Sequence, residues 1–122
     1  MHAVVVRTKV WLEADGRFVM GEGALELFAS LEQDASLTRA AAKIGWSYRH
    51  AWGYVREAER ALGMRLTCTV PGKGSRRGTR LTSFAYALLA LLTEARRRAI
   101  AAVDTDVIAD SPVGIDEGVS VG

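Results

Sequence analysis

Cysteine occurs once in this chain, at Cys68, which rules out an internal disulfide and a zinc site built on paired cysteines and fits a reducing, cytosolic compartment. Long hydrophobic runs are missing as well. The apolar stretch Ala85 to Leu92 falls far short of the roughly 20 residues that a membrane-spanning helix needs, so a soluble protein with no membrane partner is expected. The N-terminal run Met1 to Val10 contains Arg7 and Lys9 and no small-residue cleavage site follows it, which argues against a signal peptide. His2 and His50 are far apart and neither has a Cys, His or carboxylate at metal-ligand spacing. Glu57 and Glu59 are two apart on a helix and point about 200° from each other, so they cannot serve one substrate as a carboxylate pair. Neither a metal, a cofactor nor an enzymatic activity is expected. Repeats are absent too.

What the chain does contain is an ordinary globular composition, 49% hydrophobic and 25% charged over 122 residues, enough for one domain with its own core. The formal net charge of +2 hides a separation of sign. Residues 1 to 103 hold 16 basic and 9 acidic groups, a net of +7, whereas the segment from Asp104 onward holds Asp104, Asp106, Asp110, Asp116 and Glu117 and no Lys or Arg. A cationic body calls for an anionic polymer or surface as partner, although solvated basic faces are common. Residues 1–103 are read as one domain and residues 104–122, which show no sustained period, as an acidic disordered tail.

Along the domain, β-branched and aromatic residues from Ala3 to Leu12 lead to Asp15-Gly16 and then Phe18-Val19-Met20, the pattern of an N-terminal β-hairpin. Ala24, Leu25, Leu27, Phe28 and Leu31 recur at helical spacing and predict a first helix over Glu22 to Gln33. Ser36 offers an N-cap to a second helix, Leu37 to Ile44, which Gly45 ends. Ser47 caps a third helix that reaches Leu62 and stops at Gly63. Alternating β-formers from Leu66 to Val70, the loop Pro71 to Gly78 and a short run Thr79-Arg80-Leu81 predict a second hairpin. Thr82 then caps a long last helix in which Phe84, Leu88, Leu91, Leu92 and Ala95 share a face and Arg96, Arg97 and Arg98 lie near the C-terminal end.

Two short helices joined by a tight glycine turn form a helix-turn-helix, whose second helix enters the DNA major groove. Ala51, Val55, Ala58 and Leu62 make the inward stripe of that helix, leaving Ser47, Tyr48, Arg49, His50, Gly53 and Arg56 largely off it. Arg49 can contact a guanine through two hydrogen bonds, Ser47 can grip a phosphate, and Gly53 lets the backbone come close. A solvated, capped helix face has the same residues, and helix three alone leaves that alternative open. The second element is the loop: Lys73, Arg76, Arg77 and Arg80 fall within eight residues that contain no acid, a concentration of charge that phosphates would relieve. A nucleotide-binding Gly-rich loop would need a helix after it and a Ser or Thr directly after the Gly-Lys pair; here Gly74 follows Lys73. Cys68 reads as a packed or half-exposed thiol, Trp52 as a core residue, and Trp46 fits either core or base stacking.

Ser36-Leu37-Thr38-Arg39-Ala40-Ala41, then Ser47, Val55, Glu59, Leu62-Gly63, Leu66 and Leu81-Thr82, resembles the winged helix-turn-helix of LysR-type bacterial regulators. Ser47-Tyr48 with Ala51-Trp52, the long Gly and Lys wing, and the N-terminal strand with its Gly-Glu-Gly entry to helix one resemble more closely the DNA-binding domain of ModE-type molybdenum-responsive regulators. The resemblance covers about residues 4 to 100. It implies an α+β winged helix-turn-helix with an N-terminal β-hairpin and a long C-terminal helix, acting as a dimeric, sequence-specific, duplex-DNA-binding transcription regulator. It also departs from those families. An oxyanion-binding or effector module is not found within the 122 residues, so molybdate sensing does not carry over and no effector is identifiable. Thr69 stands where both families usually place an Arg, with Arg65 or Arg76 as substitutes, and Ala85 where a Gly is usual. Ser47, Tyr48, Arg49, His50 and Arg56 are the expected base-reading residues, Lys73, Arg76, Arg77 and Arg80 the expected backbone contacts, and Leu88, Leu91 and Leu92 the expected homodimer seam. The alternative is a protein-interaction module that retains the regulator fold, against which the cationic wing argues.

Overall fold

A computed structural model describes residues 3–71, 78–103 and the backbone of 106–108. The elements run β1 (Ala3–Val5), β2 (Leu12–Ala14), β3 (Arg17–Met20), α1 (Glu22–Asp34), α2 (Leu37–Lys43), α3 (Tyr48–Leu62), β4 (Thr67–Val70), β5 (Gly78–Leu81), α4 (Ser83–Val103) and β6 (Asp106–Ile108). Four helices and small antiparallel hairpins make this an α+β winged helix-turn-helix.

The N-terminal hairpin forms where Asp15-Gly16 directs it. Both turn residues take positive φ, 51° and 78°, the pair of left-handed conformations that matches the twist of the flanking strands β2 and β3. It is shorter than expected, because Ala3–Val5 leaves it and pairs antiparallel with Asp106–Ile108 instead. Within the stretch expected to be a disordered tail, the backbone of Asp106–Ile108 forms this partner strand: Val107 and Ile108 continue the β-branched character of Val4 and Val5, and two such segments satisfy each other's backbone groups. The remainder of the tail lies outside the described residues.

Helix boundaries follow the caps. The Ser36 hydroxyl accepts a hydrogen bond from the Arg39 N–H at 3.1 Å, and the Ser47 hydroxyl accepts one from the His50 N–H at 3.0 Å. Gly45 at φ 78° and the Trp46 N–H, which donates to the Ala41 carbonyl at 2.8 Å, fold α2 back onto α3 within a few residues. The core then fills from β3, the four helices, β5 and the residue before β4: Val19 and Met20 of β3, Leu27, Phe28 and Leu31 of α1, Ala40 and Ala41 of α2, Ala51, Val55 and Ala58 of α3, Leu66, Leu81 of β5, and Ala85 and Leu92 of α4. Alanines at the α2, α3 and α4 contacts leave only methyl groups between backbones, which lets short helices approach closely. Ala85, fully buried, sits where a small residue is required.

The last helix corrects the expected seam. Leu92 is 0% exposed within the single chain, so it belongs to the core and cannot also face a second copy. Leu88 is half-buried, and Leu91, at 56% exposure, is the member of the three that stands out from the surface. Four leucines among Leu88 to Leu92 span more than one stripe, and the core takes the side that carries Leu92. Arg96 reaches back to α1, its Nε 3.1 Å from Glu22 Oε2.

Candidate nucleic-acid interface

The recognition helix offers its first turn to solvent. Ser47, Tyr48, Arg49 and His50 are all exposed, while Ala51, Val55 and Ala58 on the opposite side are buried. Among the described residues Arg49 has no carboxylate within ion-pair distance, so its guanidinium is available to a partner. His50 is exposed but not independent, since its ring lies edge-on to Trp46 with centroids 4.4 Å apart. Trp46 in turn meets Tyr54 at 5.2 Å, and the Tyr54 hydroxyl accepts the Gly21 N–H at 2.8 Å. Burial pushes the Tyr54 phenol up from its ordinary pKa, against the opposing effect of that hydrogen bond. These aromatic rings fasten the helix to the N-terminal hairpin and to the entry of α1. Trp46 is therefore a packing residue, lying so close over Gly23 that a Cβ there would come within 2.9 Å of its ring.

Trp52 turns out differently from the core position expected of it. It is 43% exposed, because it follows the buried Ala51 by one residue and is rotated about 100° away from the inward stripe. The helical period alone points it outward; its size and apolarity argued for the interior. Its ring carries the Arg56 guanidinium, whose carbon lies 5.3 Å from the centroid. Tyr48, Trp52 and Arg56 thus form a ridge along α3, and this ridge is one wall of a groove of about 810 Å³. The other walls are the α1–α2 corner from Asp34 to Arg39, and Arg65, Thr67, Thr69 and Thr79 of the second hairpin.

That hairpin is fastened to α3 by Glu59, a buried carboxylate with 6% exposure. One oxygen accepts from Arg56 Nη1 at 2.9 Å. The other accepts the Leu66 N–H at 2.8 Å, the Thr67 N–H at 3.3 Å and Arg65 Nε at 3.3 Å. Glu59 thus pairs with two basic neighbours, and its tie to the strand goes further. Arg56, named as a base reader, is held between Trp52 and Glu59 rather than free. At the other strand, the Thr79 N–H donates to the Ala35 carbonyl at 2.9 Å, and Gly78 is pressed against the same carbonyl so closely that a Cβ would meet its oxygen at 2.6 Å. Ala35 holds this position in a left-handed conformation, φ 56°, at the end of α1. Thr82 completes the root, its hydroxyl donating to the Arg65 carbonyl at 2.9 Å and accepting the Ala85 N–H at 3.1 Å to cap α4.

Arg80 is exposed on β5, paired in register with Cys68, itself exposed rather than packed. Lys73, Arg76 and Arg77 lie outside the described residues. No group of three or more His, Cys, Asp or Glu that could hold a metal occurs among the described residues, and no helix there is long and apolar enough to cross a membrane. Besides Trp52, sequence reasoning missed Thr67 and Thr79 as groove residues. Period-two alternation along the strands was the available signal.

A short helix, a glycine turn, a second helix with an exposed polar first turn and a hairpin beside it define a winged helix-turn-helix, the arrangement that sets a second helix into the DNA major groove in regulators built on it. Residues 23–85, just over half of the chain, match the bacterial regulatory helix-turn-helix proteins of the lysR family, and the chain belongs to that family. It is also 39% identical over 72 residues to the molybdenum transport protein ModE of Herbaspirillum seropedicae. That match covers 59% of this chain and 27% of the relative, so the chain spans about a quarter of that protein's length.

Proposed function

We propose that the chain reads specific duplex sequences as a homodimer, with α3 in the major groove and the wing cations on the adjacent phosphate backbone. The observation that carries the reading is the first turn of α3, where Arg49 stands exposed with no carboxylate partner among the described residues, next to Tyr48 and above Gly53. A recognition helix contacts base edges through this turn, and an unpaired arginine there can span O6 and N7 of a guanine. The Ser47 hydroxyl, already accepting from His50, keeps its own proton for a phosphate oxygen. His50 and Arg56, both engaged within the chain, shape the surface more than they read it. Lys73, Arg76, Arg77 and Arg80 supply charge to the backbone, which positions without specifying.

Two copies meet through the exposed side of α4 around Leu91 and half-buried Leu88, because a single winged domain offers little contact for selective binding. The two recognition helices then fall on half-sites about 34–36 Å apart, or a multiple of that. The test is a titration of random and selected duplexes at several salt concentrations, joined to sedimentation. Arg49→Ala should cut the preference for the selected site by about 1–3 kcal/mol, whereas Arg76→Ala with Arg77→Ala should weaken selected and random binding alike. Leu91→Glu should convert dimer to monomer. No affinity for any duplex removes the reading, and equal loss of both bindings in Arg49→Ala reduces that residue to a phosphate contact.

A further inference from the structure

Gly53 has no reason to be a glycine inside this chain. It sits in the middle of the 15-residue α3, where glycine is the poorest helix former after proline. Its φ is not positive, and a Cβ built on it meets no atom within 4 Å, so neither conformation nor internal packing demands the missing side chain. Arg49 and Glu57 lie one turn before and one turn after it on the same face. The gap between them opens a shallow cleft of about 340 Å³, mainly apolar, whose other walls are Val19, His50, the Tyr54 ring and the exposed Phe18 of β3. Phe18 and Tyr54 stand edge to face with centroids 6.1 Å apart, and Glu57 is tied to Arg60, which draws its carboxylate along the helix.

We infer that this notch is a specificity element that receives a thymine C5-methyl group. The inference deepens the reading of α3 as a recognition helix and rests on it. Of the groups that duplex DNA displays in the major groove, the thymine methyl is the apolar one; every other feature there is a hydrogen-bond donor or acceptor. A glycine backbone beside the Phe18 and Tyr54 rings presents a mainly apolar surface that suits a methyl, with Arg49, His50 and Glu57 bordering it. Arg49 on the rim then meets the neighbouring base pair, so the notch and the guanidinium read adjacent positions. A methyl group on residue 53 would occupy the space that the thymine methyl needs.

The test uses the full chain and the duplex that it selects from a random pool. Replacing each thymine of that duplex in turn by deoxyuridine removes only the methyl group, and at one position per half-site the wild-type affinity should fall about fourfold, the worth of one buried methyl. Gly53→Ala should raise Tm by about 4–8 °C through helix propensity, bind the selected duplex at least about fivefold more weakly, and be indifferent to deoxyuridine at that position. Its affinity for random duplex should fall by less than its affinity for the selected one. A wild-type protein that selects a site yet tolerates deoxyuridine at every thymine, or a Gly53→Ala variant that binds the selected duplex as well as wild type, overturns the notch alone. A wild-type protein that selects no duplex overturns the recognition-helix reading and the notch with it.

Discussion

Removal of the Glu59 carboxylate is the perturbation whose cost can be worked most directly. Glu59→Ala leaves the buried Leu66 N–H without the acceptor it has at 2.8 Å, and an orphaned buried donor costs about 1–3 kcal/mol. Thr67 loses a longer bond, 3.3 Å, from a half-buried position. The two arginines matter less to stability, since their side chains are 37% and 61% exposed and water replaces the lost partner at about 1 kcal/mol or below. The total is about 2–4 kcal/mol, large against the marginal stability of a small domain. Urea unfolding followed by tryptophan fluorescence measures it as a lower midpoint at unchanged slope. Hydrogen exchange at Leu66 and Thr67 supplies the local readout, where protection should fall by more than global destabilisation accounts for. Glu59→Gln keeps an acceptor oxygen for Leu66 and should lose about half as much. A Glu59→Ala cost below about 1 kcal/mol, with exchange at Leu66 unaltered, refutes the view that this carboxylate holds the strand to the recognition helix.

Gly78→Ala should destabilise by about 1–3 kcal/mol and weaken duplex binding, because the new Cβ meets the Ala35 carbonyl oxygen, a backbone atom that cannot rotate away; thermal unfolding and a duplex titration check the two effects. Gly23→Ala should displace the Trp46 ring and shift its fluorescence, with a stability loss of about 1–2 kcal/mol in a thermal melt. Hydrogen bonds from Arg97 and Arg98 lower the Glu94 carboxyl to about 2, so its contribution to stability is present above the ordinary value of 4.5 and is lost as pH falls towards about 2. Glu94→Gln should flatten the acid limb of a Tm-against-pH curve in that window at low salt, and the difference should shrink as salt screens the exposed cluster.

Legibility followed the range of the interaction. Caps and turns are set by a few neighbouring residues, so Ser36, Ser47, Gly63 and Asp15-Gly16 marked the helix starts, the end of α3 and the hairpin turn. Pairings across the chain were not marked. The first strand joined the hairpin in the sequence reading because adjacency is all that a linear pattern offers, whereas β1 pairs with a segment about a hundred residues away. Leu92 and Leu91 are equally apolar, and only the packing of α4 against the core tells the buried one from the exposed one. Trp52 shows the converse: its angular position was correct for an exposed site, and residue type was given too much weight over helical phase. In the site, the exposed first turn of α3 was legible from its cap and polarity. The groove beside it was not, since it depends on Glu59 reaching from the end of one helix to the start of a strand.

Ion pairs within the chain divide the basic residues into two groups, and that division fixes what a salt titration should read. Arg56 and Arg65 share Glu59, Arg39 is paired with Asp34, Arg60 with Glu57, and Arg97 and Arg98 with Glu94. A guanidinium already neutralised within the chain releases few counterions from DNA on binding, because its charge does not have to be met by a phosphate. The cations left to act as phosphate partners on the proposed face are Arg80 and the loop residues Lys73, Arg76 and Arg77, with Arg49 directed to a base. Four phosphates at about 0.9 each give a slope of log K against log salt of about −3.6 per protomer, and about −7 for a dimer on two half-sites. If all 16 basic residues contributed equally the slope would be several times steeper. A measured slope near −7 that falls by about 4 when both Arg76 and Arg77 are replaced in each copy supports the wing as the main phosphate clamp, since four cations leave the dimer. A slope that does not change on their removal would place the backbone contacts elsewhere on the domain.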